Sequence, residues 1–126
     1  MEFFAEIQNV DLDADGLKHL LKIENLASLC DSISTVVSHG EDGGVMFCIW
    51  GEFEVRRDEI RYGVRFSLPN CPNALAWTVT FDEASKSAVI HCTIDRKEHD
   101  EDFVASIREF VDGWSEGILK ASRNNT

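Results

Sequence analysis

The chain has 126 residues, 44% of them hydrophobic, so it can bury the core of one domain without disulfides or a structural metal. A formal net charge of −11 at pH 7 disfavours direct binding to nucleic acid or to anionic membranes. The longest apolar run, residues 45–50, is too short to span a bilayer, and residues 1–6 do not resemble a signal peptide. We therefore expect a cytoplasmic protein with a single domain, residues 1–126, that ends in a disordered tail at residues 122–126.

The four cysteines lie far apart and form no C-x-x-C pair. In a reducing compartment we expect them to remain free thiols that behave as small hydrophobic residues. Cys71 differs from the others, because it stands between Pro-Asn pairs in a loop that should be exposed.

The first third of the chain predicts a strand, a helix and a second strand. Phe3, Ala5 and Ile7 alternate with polar residues except at Phe4, which indicates a short strand. Apolar residues recur every three or four positions between residues 13 and 30, so we predict an amphipathic helix capped by Asp13 or Asp15. Three consecutive β-branched residues then favour a strand at 33–38, followed by a glycine-rich loop at 39–44.

Residues 45–56 predict one long strand with two different faces. One face would carry Val45, Phe47, Ile49, Phe53 and Val55 towards the core. The other, outer face would begin with three apolar residues, Met46, Cys48 and Trp50, and continue with charged residues.

Two hairpins are predicted from strand parity, because a slip of one residue would move every apolar side chain into water. A tight turn at residues 58–59 would place Val55 opposite Tyr62 and Phe53 opposite Val64. The second hairpin joins residues 75–82 to 87–95, with these predicted pairs: Phe81 with Ala88, Val79 with Ile90, and Trp77 with Cys92.

An amphipathic helix at residues 103–118 should close the core, with acidic residues before it that oppose the helix dipole. Gly113 and Gly117 within it indicate either fraying or the close approach of another element. The predicted fold class is therefore α+β: an antiparallel meander sheet of about five strands, with the N- and C-terminal helices packed on one face.

Residues 11–16 resemble the opening of an EF-hand-like calcium loop, with carboxylates at Asp11, Asp13 and Asp15 and a glycine after them. The rest of the pattern is missing, because Lys22 stands where the bidentate glutamate belongs and no helix precedes the loop. The acidic start of a helix explains the same residues, so we predict no metal site and no cofactor.

The loop at 39–44 is a candidate catalytic or ligand site, because a histidine beside two carboxylates, His39, Glu41 and Asp42, could act as a base or hold a metal. His91 is the fourth member of this alternative site, although a surface pair with Thr78 explains it as well. Turn chemistry alone also explains the loop, and no phosphate loop, nucleophile elbow or H-E-x-x-H pair is present.

The functional prediction rests on the three apolar residues with which this outer face begins. Met46, Cys48 and Trp50 could be covered by the N-terminal Phe3-Phe4 segment, by a second copy of the chain, or by a client protein. In size, charge and layering the chain resembles small acidic secretion chaperones and toxin-neutralising partners. We predict a non-catalytic protein-binding or adaptor module, with a basic protein or a homodimer partner as its contact; the alternative is a small enzyme or small-ligand binder at the 39–44 loop.

Overall fold

A computed structural model describes residues 1–95 and 100–124 of the chain. Its elements are β1 (Glu2–Ile7), α1 (Ala14–Leu20), a 3-10 turn (Ile23–Asn25), α2 (Leu26–Leu29), β2 (Ile33–His39), β3 (Gly43–Cys48), β4 (Gly51–Ile60), β5 (Gly63–Ser67), β6 (Ala76–Asp82), β7 (Ser87–Thr93) and α3 (Glu101–Asn124).

The strands form one antiparallel sheet in the order β1-β7-β6-β5-β4-β3-β2. The predicted α+β class, with an antiparallel sheet and a C-terminal helix, is confirmed. The described residues contain seven strands and not five, because the N-terminal segment pairs with β7 and residues 45–56 form two strands.

The predicted helix over residues 13–30 begins as expected but is not continuous. Asp13 is the N-cap of α1, and its Oδ1 accepts a hydrogen bond from the Gly16 amide at 2.7 Å. The chain leaves the helical conformation at Leu21, where φ is −84° and ψ is 60°. The carbonyls of Lys18 and Leu21 accept hydrogen bonds from the guanidinium of Arg57 instead of from the next helical turn, which explains the break.

The predicted single strand at 45–56 is wrong, because the chain reverses between β3 and β4 around residues 49 and 50. Cys48 pairs with Gly51, whose φ of +116° is accessible at little cost only to glycine. The reversal changes which face each β3 residue occupies. Met46 and Cys48 are 0% and 4% exposed and point into the core, so their predicted place on the outer face is wrong.

The predicted turn at residues 58–59 is also wrong. Strand β4 continues to Ile60, which pairs with Gly63, and Arg57 lies opposite Phe66. The acidic pair Asp58-Glu59 was predicted to form the turn, whereas both residues belong to β4. The buried Arg57 just before them continues the row of side chains that point inward from this strand. Tyr62 therefore lies exposed in the turn and not opposite Val55.

The hairpin of β6 and β7 has the predicted register: Trp77 pairs with Cys92, Val79 with Ile90, and Phe81 with Ala88. Above it, four buried aromatic side chains connect the sheet to α3. Trp77 lies with its ring centre 4.9 Å from Phe110 and 5.9 Å from Trp114, and Phe66 stacks on Trp77 at 5.2 Å. These rings form the centre of the core between the sheet and the closing helix.

The closing helix α3 is confirmed and is longer than predicted. It extends to Asn124, and Ser122 is buried and donates a hydrogen bond to the carbonyl of Leu119. The helix thus includes residues 122–124 of the predicted tail, and residues 125–126 lie outside the described residues. A Cβ on Gly117 would stand 1.7 Å from the carbonyl oxygen of Leu29, so close approach to α2 explains this glycine. No helix of the described chain is long and apolar enough to cross a membrane.

Candidate functional site

The first candidate surface is an exposed apolar patch on the outer face of the sheet, at the end of the β2–β3 hairpin that lies away from residues 39–44. It consists of Phe47 and Ile49, which are both 48% exposed, and we call it the apolar end; Val37, which is 58% exposed, lies nearer the turn, at the bulge between Val36 and Ser38. The register sets Phe47 between Thr35 of β2 and Glu52 of β4. Glu52 and Glu54 are exposed, so carboxylates flank the patch on its β4 side.

Trp50, the third residue predicted for this surface, faces α3 and not the outer solvent. Its Nε1 donates a hydrogen bond to the Ser106 hydroxyl at 2.9 Å, and its ring centre lies 5.1 Å from that of Phe110. Of the three predicted binding residues, Met46 and Cys48 are thus buried and Trp50 is half-buried against the helix. The exposed apolar residues are instead their immediate neighbours Phe47 and Ile49, which were predicted to face the core. Their exposure can be predicted only if the turn is placed at residues 49 and 50.

The N-terminal segment does not cover the apolar end. Strand β1 lies at the opposite edge of the sheet from β2. Phe3 is buried in the core, whereas Phe4 stacks on the ring of His91 at 4.2 Å on the far part of the outer face. The N-terminal Phe3-Phe4 segment is therefore excluded as a cover for this surface.

His91 does not join the predicted site at the 39–44 loop. It lies opposite Thr78 as expected, and its Nε2 is 3.0 Å from Oε1 of Glu2. Four strands, β6, β5, β4 and β3, separate it from β2. The structure therefore brings His39, Glu41 and Asp42 together without His91.

The second candidate surface is a cleft of about 750 Å³ between α1 and the β2–β3 turn. Its lining comprises Asp15, Lys18, His19, Lys22, Ile23, Glu24, His39, Gly40, Glu41, Asp42, Arg57 and Glu59. We call it the charged cleft. The sequence predicted the loop side of this cleft but not its helix side and not Arg57. The alternation of β4 could have indicated Arg57, because it lies two residues after Val55 and therefore on the same inward face.

Arg57 lies at the base of the charged cleft and is 7% exposed. Its Nε donates to the carbonyl of Leu21 at 2.6 Å and its Nη2 to the carbonyl of Lys18 at 2.7 Å. Its Nη1 pairs with Oε2 of Glu59 at 3.0 Å, and its backbone amide donates to the carbonyl of Asp42. One side chain thus positions α1 and the strand that faces it.

The acidic loop that resembles a calcium site is divided between two roles. Asp13 caps α1, while Asp15 lines the charged cleft. In residues 1–95 and 100–124, no three side chains of the His, Cys, Asp or Glu type are grouped so that they could hold a metal ion.

The core cysteines are poor nucleophiles. Burial raises the pKa of Cys30 to about 11 and that of Cys92 to about 12, and it also raises the pKa of Cys48. Cys71, which was predicted to lie in an exposed loop, is half-buried and packs against the edge of the core, and it is the least buried of the four cysteines. The buried thiols accordingly serve packing and not chemistry.

Comparison with known proteins finds no family model and no curated protein that matches the chain. Among solved structures it is similar to an uncharacterised protein from Bacillus thuringiensis (15% identity, 97% of each chain covered, TM-score 0.61). It is also similar to the protein XoxI from Bacillus cereus (14% identity, 96% of this chain and 93% of that one, TM-score 0.64).

A third similar structure is a START superfamily protein from Mycobacterium smegmatis, with 8% identity, coverage of 100% of this chain and 98% of that one, and a TM-score of 0.67. At such identities the likeness shows the fold alone. The chain has a START-like, helix-grip type of fold, in which the C-terminal helix lies against the antiparallel sheet.

Proposed function

We propose that the chain is a non-catalytic protein-binding module that contacts its partner through the apolar end of the outer sheet face. The observation that supports this most directly is the exposure of Phe47 and Ile49 together at one end of one hairpin. Large apolar side chains that remain in water together are typical of contact surfaces, because burying them against a partner releases water.

The charges around the apolar end favour a basic partner. Glu52 and Glu54 flank the patch, and the chain as a whole carries a net charge of −11. A partner with lysine or arginine beside apolar residues would bury Phe47 while it pairs with these carboxylates. A two-fold contact between copies of this chain would bring the same carboxylates together, so we propose a different protein and not a homodimer.

The partner should dock by its side chains and not as an added strand. Strand β2 has a free edge, but its pairing with β3 is interrupted between Ile33 and Thr35 and again between Val36 and Ser38. Such bulges twist an edge and disturb its hydrogen-bonding row, which hinders the pairing of another strand.

The test compares two exposed phenylalanines on the same outer face. Phe47→Asp removes the centre of the apolar end, whereas Phe4→Asp changes the opposite edge of the sheet. The probe is a synthetic amphipathic peptide of lysine and leucine, added to the ¹⁵N-labelled full chain and followed by NMR. We expect amide shifts in residues 35–37, 45–49 and 52–54 for the wild type and for Phe4→Asp.

The same shifts should disappear in Phe47→Asp and weaken as salt is added, since screening reduces the attraction of the carboxylates. Thermal unfolding shows whether both variants remain folded. Shifts that persist in a folded Phe47→Asp, or that lie elsewhere on the chain, would show that the apolar end is not the contact surface.

A further inference from the structure

We infer that the charged cleft binds a small amphoteric molecule, one that carries an anionic group and an ammonium group, of the amino-acid or short-peptide class. The cleft lies at the 39–44 end of the β2–β3 hairpin, opposite the end that bears Phe47. Its volume of about 750 Å³ is within the range of small-molecule sites. This site is therefore separate from the proposed protein contact.

The anionic group has a donor at the base of the cleft. A guanidinium carries five N–H groups, and the bonds of Arg57 to Leu21, Lys18 and Glu59 use three of them. Its two other N–H groups have no acceptor among the described residues. A carboxylate or phosphate that reaches them would complete the hydrogen bonding of a buried cation, which makes such bonds comparatively strong.

A simple anion does not fit the remaining charges of the cleft. Glu59 is paired with Arg57, whereas four further carboxylates line the cleft against two lysines, Lys18 and Lys22. The carboxylates are those of Asp15, Glu24, Glu41 and Asp42. None of these six side chains forms an ion pair within the described chain, so charges of both signs remain available to a ligand.

A ligand with both charges satisfies the two sides of the cleft together. Its anionic group would lie towards Arg57 and Lys22, and its ammonium group towards Glu41 and Asp42 of the β2–β3 turn. A ligand with only a negative charge would experience the excess of carboxylates, and a ligand with only a positive charge would leave the N–H groups of Arg57 without an acceptor.

The test uses three matched probes on the ¹⁵N-labelled full chain: glycylglycine, N-acetylglycylglycine and glycylglycine amide. Acetylation removes the ammonium group and amidation removes the carboxylate, while the backbone stays the same. We expect glycylglycine to shift the amides of residues 18–24 and 39–42 at millimolar concentration. Each derivative should bind about tenfold more weakly or worse, because one charge-assisted contact is lost.

Variants of exposed lining residues separate the cleft from a general charge effect. Lys22→Gln and Asp42→Asn should each weaken glycylglycine binding, whereas Lys120→Gln and Asp112→Asn, which change exposed charges on α3, should not. If glycylglycine leaves residues 18–24 and 39–42 unshifted, the inference is wrong. It is equally wrong if all three probes bind alike or if the cleft variants match the α3 controls. Neither result bears on the apolar end, which different amides report.

Discussion

Single glycines show at the residue scale how little space separates α2 from α3. Gly117→Ala would place a methyl group 1.7 Å from the carbonyl oxygen of Leu29, and a backbone atom cannot move aside. We expect a loss of roughly 1–3 kcal/mol in the free energy of unfolding, measured by urea denaturation.

Gly113→Ala is the matched control, since its methyl group would meet the Sγ of Cys30 at 3.2 Å, a side-chain atom that can shift. The gain in helix propensity of about 1 kcal/mol should then offset most of the crowding. Equal losses for the two variants would contradict the assignment of Gly117 to a backbone contact.

The buried thiols make stability depend on alkaline pH. The folded chain raises the pKa of Cys30 to about 11 and that of Cys92 to about 12, so it favours the protonated thiols. Their contribution to stability should be complete below about pH 9 and be lost as the pH rises through the folded pKa values. The reason is that the thiols of the unfolded chain ionise at a lower pH than the buried thiols of the folded chain. Cys92→Ala should reduce the loss of stability seen by urea denaturation between about pH 9 and pH 11.

At about pH 8 a thiol reagent should label native Cys71 much faster than the other three cysteines. Cys71→Ser should remove this fast reaction and leave the slow one. Rapid labelling of several thiols in the native protein would contradict the burial of Cys30, Cys48 and Cys92.

At the element scale, Arg57 joins β4 to the end of α1. Arg57→Met keeps much of the side-chain volume but leaves the carbonyls of Lys18 and Leu21 without their donor. We expect it to reduce the free energy of unfolding by about 2–4 kcal/mol. The neighbouring Arg56→Met, on the exposed face, should change it by less than about 0.5 kcal/mol, and urea denaturation of both variants makes the comparison.

The turn between β3 and β4 is joined to α3 by Trp50. Trp50→Ala removes the hydrogen bond to Ser106 and the ring contacts with Phe103 and Phe110, so we expect a loss of about 2–3 kcal/mol in thermal or urea unfolding. Ile49→Ala, one residue away and exposed, should be within about 0.5 kcal/mol of the wild type. If Trp50→Ala were as stable as Ile49→Ala, the turn would not depend on the helix.

At the scale of the whole molecule, self-repulsion opposes folding. The chain has 23 acidic residues and 12 lysines and arginines, so at least 11 of its acidic side chains cannot be paired one to one with a lysine or arginine. We expect the melting temperature to rise as NaCl increases from about 10 mM to about 300 mM, because screening weakens repulsion in the compact state. A melting temperature that is constant or falls over this range would show that local ion pairs outweigh the net charge.

Short-range patterns in the sequence determined the α+β class, the β6–β7 pairing and the closing helix. Trp77, Val79 and Phe81 alternate without interruption, and a slip of one residue would expose them all, so their register follows from parity alone. The aromatic stripe of α3 has one apolar face that can be buried only against the sheet.

Only the tertiary structure decided the faces of β3 and the two candidate surfaces. Met46 and Phe47 differ little in hydrophobicity, and the positive φ of Gly51 and the turn before it decide which of them is buried. Arg57 and the 39–42 turn are distant from α1 in sequence, and folding brings them to one cleft. Parity constrains neighbours within a strand, whereas a turn that adds or removes one residue between two strands inverts every face that follows it.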